Sequence, residues 1–146
     1  MTDTTAAAVL RRGVDLLLAK DMRAYLALWH EDAVAEFPFA PPGAPRRLDG
    51  IAAITAYLID YPDKLDIAEV TALTVHETVD PAVVIAEFTA VGKVVATGRP
   101  YEISYIAVVT VAHGRITHYR DYWNPMVVIE ALGDDLLSDT ATGATR

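Results

Sequence analysis

The apolar residues of this chain change their period once, near Asp66, and that change limits the fold. Before it they recur at helical spacing. Val9, Leu10, Val14, Leu17 and Leu18 form one such set, with Thr4 or Thr5 as the cap. Met22, Tyr25, Leu26 and Trp29 form a second behind Asp21, and it closes over His30 to Ala33. Ile51, Ile54, Tyr57 and Leu58 form a third, started by Asp49-Gly50 and stopped at Asp60-Tyr61-Pro62. After Asp66 the chain reads as strands at 67–76, 83–96, 99–112 and 116–123. Asp80-Pro81, Thr97-Gly98 and His113-Gly114 supply the turns between them. Helices followed by a meander predict an α+β fold, with helices over the concave face of a strongly curved, mostly antiparallel, cone-shaped sheet.

Smaller features refine this. The segment 34–39 is extended, and Pro38 confines it to an edge or a bend. Residues 40–47, with three prolines and a glycine, read as a surface loop. Arg46 and Arg47 are its dense basic spot, either solvated or greeting an anion. Gly13 interrupts the first helix, and Gly92 is expected to mark a bulge. Asn124 caps a last helix, with Pro125 at its first position and Gly133 past its end. One domain is expected over residues 1–137, with a flexible tail at 138–146.

Composition excludes several functions. The 146 residues carry a net charge of −8, which argues against nucleic acid or anionic membrane as partner. Hydrophobic residues make up 53%, enough for a packed core. There is no cysteine, so no disulfide and no thiolate site. The N-terminal residues lack the basic segment and apolar run of a signal peptide, so a cytoplasmic location is expected. No serine–histidine–acid set, phosphate loop or metal-ligand spacing occurs.

The last strand carries the chemistry. Alternation puts Thr117, Tyr119, Asp121 and Trp123 on one face, and Ile116, His118, Arg120 and Tyr122 on the other. Asp121 is a single carboxylate between a phenol and an indole. In an apolar cone its pKa would rise, which suits a general acid or base. The competing reading is a structural carboxylate bonded to a tyrosine or an amide. His118 is expected on the outer face, at a contact between subunits, and Glu87 is expected there too. The long strands are apolar on both sides (Ile103, Val109 and Val111 against Ile106 and Val108), so a homodimer through the convex face is expected.

Three stretches resemble the family that includes nuclear transport factor 2, ketosteroid isomerase and SnoaL-like polyketide cyclases. They are A-K-D-M-R-A-Y-L-A-L-W-H-E-D-A-V-A-E-F-P, L-D-G-I-A-A-I, and H-G-R-I-T-H-Y-R-D-Y-W-N-P. The resemblance runs from about Ala6 to Gly133. It implies no cofactor and a hydrophobic small molecule, cyclic or polyketide-like, as ligand. The isomerases use a helix tyrosine, a strand aspartate as base and a protonated aspartic acid. The corresponding positions here hold Gly13, Phe37 and Ala107, so steroid isomerisation by that mechanism is not expected. The resemblance also implies a pocket lined by Phe37, Tyr57, Phe88, Tyr101, Tyr105, Tyr119 and Trp123 around Asp121. The ending R-D-Y-W-N-P is similar to phenazine-pathway members, in which an acid at the position of Asp121 is thought to handle protons. Two functions follow: a cofactor-free isomerase or cyclase working through Asp121, or a non-catalytic binding or accessory protein.

Overall fold

A computed structural model describes residues 4–132; the expected tail at 138–146 and the helix end at Gly133 lie outside them. The order is α1 (Ala6–Leu18), α2 (Met22–Leu26), β1 (Trp29–Glu36), β2 (Arg47–Asp49), α3 (Ile51–Leu58), α4 (Tyr61–Lys64), β3 (Leu65–Glu77), β4 (Val83–Val94), β5 (Pro100–Ala112), β6 (Arg115–Trp123) and α5 (Pro125–Leu132). The six strands make one curved, unclosed sheet in the order β2-β1-β6-β5-β4-β3. The long meander is antiparallel, and β1 joins it in parallel beside β6. The fold is α+β, as the change of period predicts.

Local chemistry starts the helices where expected. The Thr5 hydroxyl accepts from the Ala8 amide, and Asp21 accepts from the Ala24 amide. Helix α1 lays Val9 and Leu10 against the sheet, where they join Ala33, Val84, Ala86, Ala107 and Val109 in the main core. A second cluster under α5 groups Val128 with Leu65, Tyr101 and Ile103. No helix among the described residues is long and apolar enough to cross a membrane.

The structure corrects several expectations. Trp29 to Ala33 is strand, not the end of a helix, because Trp29 pairs with Ile116 and tertiary pairing overrides local preference. The register shifts between Trp29 and Val34, and there the Asp32 amide bonds the His30 ring instead. The loop after Phe37 ends in strand β2, where Arg47 bonds Asp49 at 2.9 Å. The turn at Tyr61-Pro62 continues as the short helix α4.

Gly92 does not form the bulge. Ile67 pairs with Gly92 and Glu69 with Val91, so the extra residue is Ala68, on β3. A second irregularity on β3 passes through Ala72, which has φ +55°. Such bulges bend the sheet. Glycine is needed at position 92 for close approach, since a Cβ there would lie 2.0 Å from the Asp66 carbonyl oxygen. Backbone must move to admit it. Gly92→Ala is therefore expected to lower unfolding free energy by about 2 kcal/mol or more, read by denaturant titration. An unchanged midpoint would contradict the close approach.

Candidate functional site

The register of β4, β5 and β6 builds the inner face in three rungs. Val84, Val109 and Tyr119 form one, Ala86, Ala107 and Asp121 the next, and Phe88, Tyr105 and Trp123 the third. Ala86 and Ala107 have no exposed surface. The middle rung is thus a trough of single methyl groups between two bulky rungs, and Asp121 stands at its end. Larger residues at 86 or 107 would fill the space beside the carboxyl.

Asp121 is half-buried. Its Oδ1 is sealed from solvent and has no hydrogen-bond partner among the described residues. Desolvation pushes its pKa from 3.8 to about 7. The Trp29 Nε1 is likewise buried and unpartnered. It lies near enough to the Tyr25 hydroxyl to influence it, yet falls short of hydrogen-bond geometry.

Phenols surround the carboxyl. Burial raises the pKa of Tyr25, Tyr61, Tyr105 and Tyr119, and the Asp121 charge raises each further. Tyr57 and Tyr101 are pushed up to about 12, mainly by burial, with Asp121 adding to it. All six stay protonated near neutral pH. Tyr101 and Tyr105 bond each other through their hydroxyls. A pair of hydroxyls uses one proton between them, so the second O–H is left to donate elsewhere.

Each residue expected in the lining can be placed. Tyr119 stacks on Trp29 at 5.5 Å, and Phe88 stacks on Tyr105 at 5.2 Å. Phe37 is buried just past β1 and packs on Tyr57 at 5.2 Å. Tyr57 stands at the rim, with 38% of its surface exposed and its hydroxyl end enclosed. Tyr101 is buried, and Trp123 ends the third rung half-buried. A chamber of about 20 Å3, room for one water, lies between α1 and the sheet beside Gly13, Tyr25, Phe88 and Tyr119. Ile116 also lines it. Alternation had placed Ile116 on the outer face. An unpaired Thr117 between the pairs Val111–Ile116 and Thr110–His118 turns it inward.

Sequence reasoning missed Trp29, Tyr25 and Tyr61. Reading Trp29 as helical hid its inward position on a strand. In the sequence Tyr25 reads as ordinary helix packing, and only tertiary structure brings Tyr61 close to Asp121.

The outer face has its own order. His118 bonds Glu36 at 2.5 Å, and His76 bonds Glu87 at 2.6 Å. Glu87, Thr89, Ser104, Ile106 and Tyr122, with Phe39, line an open groove of about 700 Å3, and Phe88, Tyr105 and Trp123 of the third rung line it too. Arg46 and Arg47 are exposed. No group of three or more potential metal ligands occurs among the described residues.

A curved open sheet under helices is the fold of nuclear transport factor 2-like proteins. Crystal structures of such a protein and of a candidate polyketide cyclase, both under 25% identical, share it. The chain belongs to the SnoaL-like family, whose domain matches residues 10–119. It is 47% identical over 138 residues to the uncharacterised Bacillus subtilis protein YesE, covering 94% of each chain. It is 37% identical over 125 residues to an uncharacterised PhzA/B-like protein of Pseudomonas aeruginosa, covering 86% of this chain and 88% of that one. The crystal structure of a candidate isomerase from Bacillus subtilis is 48% identical, with a TM-score of 0.86 over 90% of this chain and 95% of the other. The family match ends at Tyr119. Membership therefore speaks to the fold and not to Asp121.

The raised pKa has a measurable sign. Between pH 3.8 and about 7 the folded state holds a proton that the unfolded chain has lost. Stability from this group is full below 3.8, falls as pH rises through that window, and is level above it. The fall is about 4 kcal/mol. Asp121→Asn has no proton to lose. Its melting temperature is expected to match the parent near pH 4 and to exceed it by several degrees at pH 8 to 9. Equal melting temperatures at pH 9 would mean the carboxyl is solvated.

Proposed function

We propose that this protein takes a hydrophobic, cyclic or polyketide-like molecule into the aromatic interior, and that Asp121 moves a proton on it in an isomerisation or cyclisation. The observation that carries this is the Asp121 Oδ1, sealed among phenols at the end of an alanine trough with no partner of its own. A structural carboxylate would be expected to accept hydrogen bonds from the chain. A group that titrates near neutrality can accept and return a proton at comparable cost, which is the condition for general acid–base catalysis. Phe88, Tyr105 and Trp123 line the open groove of about 700 Å3, which supports a site reached from the third rung. The isomerase and cyclase descriptions of similar folds agree with this chemistry.

Carbon-13 NMR of the Asp121 carboxyl tests the proposal directly. A titration midpoint near 7 is expected, and a midpoint below 5 would favour a non-catalytic binding protein. For any substrate found, Asp121→Asn should cut turnover about 10²- to 10⁴-fold.

The same reading includes a homodimer through the convex face. Ile85 and Val108 pair at its centre, and Ile106 and Phe39 expose 45% and 57% of their surface beside them. Light scattering should give the mass of two chains, and Ile106→Lys should give one. A monomeric parent at micromolar concentration would remove the dimer.

A further inference from the structure

We infer that the convex face pairs with a second copy of the chain in a proton-dependent way. Two histidine–glutamate pairs flank the apolar centre of that face, so the dimer tightens on mild acidification and loosens above neutrality. This rests on the homodimer proposed above and adds what controls it.

The register sets both pairs on the face that a partner would cover. One rung crosses the outer side from His76 on β3 through Ile85 on β4 and Val108 on β5 to Arg120 on β6 and Glu36 on β1. Its centre is apolar and its two ends are polar. Glu36 holds the His118 ring at one end, and Glu87 holds the His76 ring at the other. Neighbouring strands stand about 4.8 Å apart, so the ends of this rung are about 19 Å apart. A standard interface takes about 800 Å2 from each partner, a patch about 28 Å across. A copy seated over Ile85, Val108 and Ile106 therefore covers both pairs. The face also suits a copy of itself. A two-fold axis along β5 lays β6 of each chain, with His118 and Arg120, over β4 of the other, with Glu87.

Histidine is the side chain that ordinarily changes charge between pH 5 and 8. With the rings protonated, each pair has no net charge and its hydrogen bond is already made. With the rings neutral, each carboxylate keeps its charge, and a two-fold dimer brings four of them into one interface. Covering a charge that lacks a counter-charge is costly. Dimer formation therefore takes up protons across this window, and affinity falls as pH rises. The surroundings make the two pairs unequal. Glu36 has Arg120 level with it on β6 and Arg47 on β2, the latter bonded to Asp49. The outer positions around His76 and Glu87 are Thr74, Ile85, Thr89 and Ile106, and β3 is an edge strand. Glu77, next to His76, is level with Val84 on the other side of the sheet. Further along, Glu69 and Glu102 stand level with Val91, and Lys93 with Asp66. With no arginine or lysine beside it, the His76–Glu87 pair carries most of the effect.

The test is the dimer dissociation constant of the full chain, measured by sedimentation equilibrium at about pH 6 and about pH 8.5 and at one ionic strength. The parent is expected to dimerise about tenfold more tightly at the lower pH. His76→Gln keeps a donor for Glu87 and takes no proton, so it should pair weakly at both pH values. Glu87→Gln should pair tightly at the higher pH, where the parent is weak. Both side chains are about half-exposed, so neither change threatens the fold. Asp121 lies on the other side of the sheet and titrates in the same range, so Asp121→Asn should keep the full effect. A dimer equally tight at both pH values would overturn the proton dependence and leave the homodimer standing. A parent monomeric at both would remove the homodimer and the proton dependence together. A full effect in His76→Gln, or none in Asp121→Asn, would take the effect away from the outer pairs.

Discussion

The pairing of β5 with β6 is the constraint on which the site depends. Tyr105 faces Trp123, Ala107 faces Asp121, and Val109 faces Tyr119. A slip of one residue on β6 would send Asp121 to the outer face and bring Arg120 or Tyr122 inward. The interior would then hold a cation and lose its acid. The unpaired Thr117 reconciles two demands on one strand, since it lets Ile116 fill the core near the hairpin while Tyr119, Asp121 and Trp123 face inward further along. Thr117 bonds the Thr110 carbonyl at 3.3 Å, which anchors the irregular residue to the neighbouring strand.

Much of the architecture was legible because it follows from period. Four strands and their turns could be read from branched residues and Gly or Pro punctuation, and the caps at Thr5 and Asp21 from their side chains. What was not legible depends on long-range pairing. Trp29 to Ala33 has a helix-compatible pattern and becomes strand only because β6, some ninety residues later, offers a parallel partner. The bulge at Ala68 leaves no local signature, and the glycine that suggested one lies across from it. The site divides the same way. Tyr119, Asp121 and Trp123 share a face by parity alone, whereas Tyr25 and Tyr61 reach the carboxyl through helices whose placement the sequence does not state.

The carboxyl is costly to the fold. Burial without a partner favours its neutral form, and ionisation at working pH takes about 4 kcal/mol from stability. That is a large share of the free energy holding a domain of this size together. An asparagine would avoid the cost, and a hydrogen bond from a nearby phenol would reduce it. Tyr101 and Tyr105 instead bond each other. Strain of this kind is consistent with the proposed acid–base role.

The resemblance to the isomerases suggests a place for the carboxyl. Their interior acid would fall at Ala107, which here has only a methyl group and no exposed surface. Ala107 is the direct cross-strand partner of Asp121. If the resemblance holds at this position, an acid would still stand at that level of the sheet. It stands one strand across on the same rung, and the alanine leaves it room. Their base would fall at Phe37, now a buried ring packed on Tyr57, and their helix tyrosine at Gly13, now beside the small chamber. Three polar groups have given way to one carboxyl with phenols contributed by α2, α3, α4, β5 and β6. With one ionisable carboxyl in place of two, the same group would have to take the proton and return it, which suits a transfer between neighbouring positions of one ligand.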